Sequence, residues 1–271
     1  MGKSISFRWL GVAGLEFSAN NHVILIDPYF TRFTLWKTFF GRVQPNSELV
    51  AEKIKHCEFV LITHAHFDHI MDVPEVVRNT GATALGSPNA CRLLNVCGVP
   101  QDRIREIKAS DKLNLAGFGV EVFSAQHVKL PGYLPGKLPA VLKPPLRARD
   151  YRMDEDFSFL VSVGGQRLLT DPGESPESGV PADVLFLFPH RDETYCRSVL
   201  SRVQPKVVFL THWDDFFRPL SKPLRTHIQR PTLTSPLPRP INLTKFSEMV
   251  KRAFPQTEVI VPEIFRTYEL P

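Results

Sequence analysis

The sequence predicts a layered α/β protein, and three observations carry that reading. Short apolar runs of strand length recur along the chain, several followed almost at once by a histidine or an aspartate. Apolar residues at helical spacing stand between and after them, most clearly over 242–254. The hydrophobic content of 43% with mixed charge is that of a globular chain, and 271 residues bury a full core without a disulfide or metal staple.

Taken in order, Val23-Ile24-Leu25-Ile26 is a strand-like run ending in Asp27-Pro28. Phe59-Val60-Leu61-Ile62 is continuous and apolar, as in a strand buried on both faces. It leads into Thr63-His64-Ala65-His66-Phe67-Asp68-His69. In extended chain His64 and His66 point to one side, and Asp68 and His69 follow on a turn that brings them to the same point. Neutral imidazoles and a carboxylate suit zinc and similar divalent ions. Asp72-Val73-Pro74-Glu75 supplies a capping residue, an early proline and a glutamate three positions on, so a helix starts there.

The strand-then-ligand format repeats. Val120 to Phe123 runs through Ser124-Ala125-Gln126 into His127. Leu168-Leu169 ends in Thr170-Asp171, with Pro172-Gly173 supplying turn chemistry. Val207-Val208-Phe209-Leu210 ends in Thr211-His212, a near echo of the first motif. Strands of a packed sheet line up such ends along one edge, where layered α/β proteins place their sites. His190 follows the apolar run Val184 to Phe188 and is a further candidate at that edge. Asn242 caps a helix with Leu243, Phe246, Met249, Val250 and Phe254 as its buried stripe; it stops before Pro255, and Thr257 to Val261 reads as the final strand.

Two proline-rich segments interrupt this pattern, at about 128–152 and 216–240. The first holds five prolines between Val128 and Pro145, which exclude helix and interior strand, yet it is too rich in leucine for a simple linker. It is read as a lid beside the site, with Arg147, Arg149 and Arg152 as a basic rim. Trp213 either floors a pocket or packs in the core. Asp214 and Asp215 either act on substrate or His212, or form a turn. No composition break calls for a second domain, so residues 1–271 are expected to form one catalytic domain carrying both insertions.

The four cysteines show no C-x-x-C spacing, which argues against a thiolate metal site or a disulfide framework. With no signal peptide pattern and no bilayer-length apolar run, a cytoplasmic protein is the expectation. The net charge of +5 is spread along the chain rather than gathered in one block, which disfavours nucleic acid as a partner.

His64-x-His66-x-Asp68-His69, followed in order by His127, Asp171 and His212, resembles the ligand series of the metallo-β-lactamase superfamily. The opening, from Phe7-Arg8-Trp9-Leu10-Gly11 to Ile26-Asp27-Pro28-Tyr29, resembles the branch that contains ascorbate-6-phosphate lactonase. The resemblance implies an αββα sandwich, two mixed sheets packed face to face with helices outside. It implies one metal ion on His64, His66 and His127, and a second on Asp68, His69 and His212. Asp171 would bridge the two, and Asp27 would orient a ligand histidine from behind. Two zinc ions, with manganese or iron as substitutes, would acidify a shared water for attack on an ester-type bond, a phosphoester or lactone. Asp68, Asp171 and His190 are the residues assigned to that chemistry. The expected substrate is a small or lipid-like, anionic and partly apolar ester, and peripheral membrane contact is compatible with it. A lipid-directed phosphodiesterase resembling N-acylphosphatidylethanolamine phospholipase D is the alternative. A ribonuclease is disfavoured, because Ile70-Met71-Asp72 stands where that group has a glycine. A metal-stabilised binding module is disfavoured too, since structural zinc sites are closed four-ligand cages.

Overall fold

The computed structural model describes residues 5–127, 134–173, 175, 177–189, 193–229 and 239–270. The strands in chain order are β1 (Ile5–Gly11), β2 (Gly14–Ala19), β3 (His22–Ile26), β4 (Phe59–Leu61), β5 (Thr83–Gly86), β6 (Ile104–Glu106), β7 (Lys112–Leu115) and β8 (Phe118–Ser124). Then follow β9 (Phe157–Val163), β10 (Gln166–Leu169), β11 (Val184–Leu187), β12 (Val207–Leu210), β13 (Ile228–Gln229), β14 (Arg239–Pro240), β15 (Glu258–Ile260) and β16 (Thr267–Glu269). The helices are α1 (Leu35–Phe40), α2 (Ser47–Lys53), α3 (Phe67–Ile70), α4 (Val73–Thr80), α5 (Pro88–Val96), α6 (Glu193–Val203) and α7 (Leu243–Ala253).

Two seven-stranded sheets result, β16-β1-β2-β3-β4-β5-β6 and β15-β12-β11-β10-β9-β8-β7. Between them lies a core in which the rings of Phe7, Phe186 and Phe209 meet, with Phe7 4.7 Å and 4.9 Å from the other two. On the outer face of the first sheet, Val50 of α2, Val76 and Val77 of α4, and Leu93 and Leu94 of α5 are buried in a second apolar cluster with Leu25, Val60 and Ala84. Cys196, Val199 and Leu200 of α6 and Phe246 and Val250 of α7 are buried on the second sheet. The architecture is the αββα sandwich.

Strand direction decides where the site falls. In the first sheet β3 and β4 pair in parallel. In the second, β8 and β10 both run antiparallel to β9, and β10, β11 and β12 are parallel to one another. The C-terminal ends of β8, β10, β11 and β12 therefore share one edge.

Three sequence expectations are corrected and one open choice is resolved. Asp68 and His69 lie on the one-turn helix α3 rather than on an open turn. Asp72 precedes α4 as expected, but its side chain makes no capping bond; its Oδ2 accepts the backbone N–H groups of Phe30 and Thr31 at 2.5 and 2.8 Å, tying down the chain after β3. The strand at 258–260 is not the last, because β16 follows and pairs with the edge of β1, a pattern of three residues too short to stand out in sequence. Of the two readings open for Trp213, core packing holds, its ring lying 5.2 Å from that of Trp9. The helix over 243–253 forms as expected, and Asn242 accepts the N–H of Lys245.

Loops from the two sheets are bolted together below the site. The turn residue Val12 accepts the N–H of His212 at 2.8 Å and donates its own N–H to Asp214 Oδ1 at 3.0 Å. Arg32, from the segment after β3, reaches Asp214 Oδ2 at 2.5 Å, with both side chains fully buried. Removing one member of such a pair strands the other charge in the interior, so Arg32→Ala should cost about 3–5 kcal/mol of unfolding free energy. Urea denaturation would read this directly, and a loss well under 1 kcal/mol would show that the pair does not hold the loops.

Candidate metal centre

The motif strand and its surroundings converge as the strand directions require. His64, His66 and His127 form one group of ligand atoms, and Asp68, His69 and His212 a second, with the atoms of each group within 4.8 Å of one another. The groups adjoin, since the rings of His64 and His69 lie 3.8 Å apart. In the second group Asp68 Oδ2 is 3.7 Å from His69 Nε2 and 3.8 Å from His212 Nε2.

Asp27 anchors this cluster from behind. Its Oδ2 accepts the Nδ1–H of His69 at 2.7 Å and the Thr63 hydroxyl at 2.5 Å, and its Oδ1 accepts the Thr63 N–H at 2.8 Å. That fixes the His69 tautomer with Nε2 bare towards Asp68. A counterpart that sequence reading missed is Asp156, whose Oδ1 lies 3.2 Å from His64 Nδ1. It stands just before β9, and the Phe157 N–H donates to Thr63 O at 2.9 Å, so the start of one sheet's strand is pinned to the end of the other's. No spacing in the sequence marks Asp156, because its partner lies far away in the chain.

Asp171 lines the same cavity but joins neither group among the described residues. Its Oδ1 accepts the Tyr195 hydroxyl at 2.7 Å and the Gly173 N–H at 2.9 Å, and its Oδ2 accepts the Phe188 N–H at 3.0 Å. Tyr195 was not anticipated. Gly173 is required where it stands: its φ is +61°, and a Cβ there would lie 2.7 Å from Gln126 O, in the segment that carries His127. His190 lies outside the described residues.

Burial sets the protonation of the cluster. It holds His64 and His69 well below the usual imidazole range and lowers His212 to about 3, so these rings are neutral. Burial also pushes the carboxyls of Asp27 and Asp68 up to about 7. Neutral imidazoles facing a carboxylate are a donor set for divalent cations. The residues fit such an ion on one further ground: His64 Nε2 is buried and has no hydrogen-bond partner among the described residues, although buried polar nitrogens are nearly always satisfied.

Above the cluster lies a cavity of about 710 Å³, walled by Phe67, Phe188, Phe216 and Phe217 and by Leu134, Ala148 and Tyr151. The 128–152 segment thus contributes a wall; residues 128–133 lie outside the described ones. Other residues of the segment do different work, since Leu138 and Leu146 are buried in the outer core of the first sheet. Of its three arginines, Arg149 alone lines the cavity. From the 216–240 segment Arg225 and Ile228 also line it, and Arg225 is paired with Asp215 at 2.6 Å.

The comparisons agree with this architecture. The beta-lactamase superfamily domain matches residues 22–141. A curated metal-dependent hydrolase of Agrobacterium fabrum is 30% identical over 123 residues, 45% of this chain and 48% of the relative. The chain thus spans about half the length of that relative. Among solved structures, a metallo hydrolase from the archaeon Ignicoccus hospitalis superposes with a TM-score of 0.62 at 18% identity, covering 99% of both chains. A diiron β-hydroxylase from Streptomyces venezuelae superposes at 0.60 with 14% identity, covering 99% of this chain and 54% of its own.

Two consequences of this geometry are measurable. Asp27→Asn removes the carboxylate that orients His69, and metal affinity should fall about tenfold to hundredfold in competition titrations with a chromophoric chelator. Unchanged affinity would mean that Asp27 only shapes the turn. Separately, Asp68 must be ionised to act as a ligand, and protons compete below its raised pKa of about 7. Affinity at the second group should therefore rise about tenfold per pH unit on approaching pH 7 and level off above it. Calorimetric titration across that range checks the sign, and affinity falling with rising pH would contradict it. With the two sheets complete and the candidate ligands gathered at one edge, the chain has the metallo-β-lactamase fold and is similar to the beta-lactamase superfamily domain over residues 22–141.

Proposed function

We propose that this chain is a hydrolase that uses two divalent metal ions, most simply zinc, to cleave an ester-type bond in an anionic, partly apolar substrate. The observation that carries this reading is the pair of adjoining three-donor groups on the floor of an apolar cavity. Two such ions, when bound, would supply an acidified water and charge stabilisation for the oxygen that gains charge. His64, His66 and His127 would hold one ion, and Asp68, His69 and His212 the other. Asp171 would stand between them; Oδ1 already accepts from Tyr195 and Gly173 and Oδ2 from Phe188, so one acceptor direction is open and holding both ions would release at least one of these bonds.

The chain's own contributions follow from what surrounds these groups. Asp27 and Asp156 orient His69 and His64. Phenylalanine walls exclude bulk water and receive the apolar portion of the substrate, where each Å² of buried apolar surface contributes about 25 cal/mol. Arg149 forms no hydrogen bond or ion pair among the described residues and offers its guanidinium to an anionic group of the substrate.

Protein stripped by a chelator and reloaded with zinc, manganese or iron should hydrolyse members of a panel of phosphodiesters, lactones and carboxylic esters. Specificity, kcat/KM, should rise with apolar chain length, and Arg149→Ala should raise KM about tenfold or more for anionic substrates while sparing neutral ones. No turnover of any ester by any reloaded form would overturn the reading.

A further inference from the structure

Helix α1 is an anomaly in a well-packed molecule. Its one buried residue is Thr38, while Leu35, Trp36, Phe39 and Phe40 are 53%, 74%, 63% and 63% exposed. The rings of Trp36 and Phe40 rest on each other at 4.4 Å rather than on the body of the protein. A contiguous exposed aromatic patch marks a surface that is covered in use.

The surroundings of α1 say by what. No aspartate or glutamate occurs from Pro28 to Ser47, nor from Leu134 to Arg149. The two stretches are neighbours: Arg42 donates to the carbonyls of Lys143 and Pro145 at 3.1 and 2.6 Å, and Val43 N–H to Leu146 O at 2.7 Å. Together they expose five cations, Lys37, Arg42, Lys137, Lys143 and Arg149, none of them ion-paired among the described residues. Val141, in the same surface, is 71% exposed. Protruding tryptophan and phenylalanine ringed by unopposed cations match the boundary of an anionic bilayer, where rings enter the headgroup layer and cations meet lipid phosphates. Pairing with a second copy would bring like charges together.

The patch is also continuous with the cavity. Leu35, Thr38 and Phe39 of α1, with half-exposed Ile228, line the space above the metal-ligand groups, and Arg149 lines it from the basic side. We propose that α1 and the 134–149 segment dock this chain on an anionic lipid surface, with the mouth of the cavity turned towards the bilayer. The docking stands on the surface alone, and its test reads binding rather than turnover, so it succeeds or fails independently of the hydrolase reading.

The full chain should sediment with phosphatidylcholine vesicles containing about one quarter phosphatidylglycerol at least ~10-fold more strongly than with pure phosphatidylcholine, and high salt should reverse this. Trp9 and Trp213 are buried, so Trp36 is the reporter: its emission should shift to the blue on docking and be quenched by lipids brominated in the acyl chain. The double variant Trp36→Ser/Phe40→Ser, whose side chains lie outside the cavity wall, should keep its metal content and lose binding about tenfold or more. Lys37→Glu/Lys143→Glu should abolish the preference for anionic vesicles. Absence of vesicle binding, equal binding by the serine variant, or equal binding to neutral and anionic vesicles would each overturn the proposal. So would a dimer in solution that the serine variant dissociates, which would make a second copy the occupant.

Discussion

The ligand groups exist only where two separate sheets meet, and this shared origin is the constraint on which the rest of the molecule depends. The first sheet delivers His64, His66, Asp68 and His69 from the end of β4, and the second delivers His127 and His212 from β8 and β12. A shift of one sheet against the other would open both groups. The seam is therefore held by directional bonds as well as by the aromatic core: Phe157 N–H to Thr63 O, His212 N–H to Val12 O, and the buried Arg32–Asp214 pair. Each neutral bond is worth only about 1 kcal/mol net, but breaking one leaves a buried group unsatisfied, and that cost is larger. Asp27, held by its N–H to Leu61 O and by the Thr63 N–H, and His212, held by its N–H to Val12 O, have left-handed φ angles of +44° and +57°. Such conformations cost roughly 1–3 kcal/mol each and persist where the surroundings over-determine them.

Electrostatics and geometry act together at this seam. Burial keeps the imidazoles neutral and makes the carboxyls reluctant to ionise, so the cluster carries little charge while it still presents bare nitrogens. A divalent ion held there would reverse the balance, since its charge would favour the ionised forms of Asp68 and Asp27. Asp27 couples the two effects, because its bond to His69 sets both the direction of the ring and its basicity. The phenylalanine walls above add low polarity, which strengthens charge interactions beneath them.

Much of this was legible in the chain. Apolar runs ending in histidine or aspartate mark β3, β4, β8, β10 and β12, because a buried strand leaves no room for polar residues until it reaches the sheet edge. The six residues now gathered in two groups were all named from those runs, and the αββα layering came from their resemblance to one superfamily. What escaped has a common physical cause. Asp156 and Tyr195 act through partners distant in sequence, and no periodicity records such contacts. Asp72 was misassigned because a local capping signal was overridden by tertiary partners, the amides of Phe30 and Thr31, whereas Trp213, left open between pocket and core, packs on the ring of Trp9. The Arg147–Arg152 cluster was read as a single rim, but its backbone turns through a short 3-10 segment that sends Arg149 alone to the cavity.

The central claim is that one chain assembles two adjoining ion sites from both sheets. The measurement closest to it is anomalous diffraction, above and below the zinc edge, from crystals grown with zinc. The account predicts two strong peaks, one among His64, His66 and His127 and the other among Asp68, His69 and His212, with Asp171 beside both. A single peak, or peaks away from these residues, would contradict it.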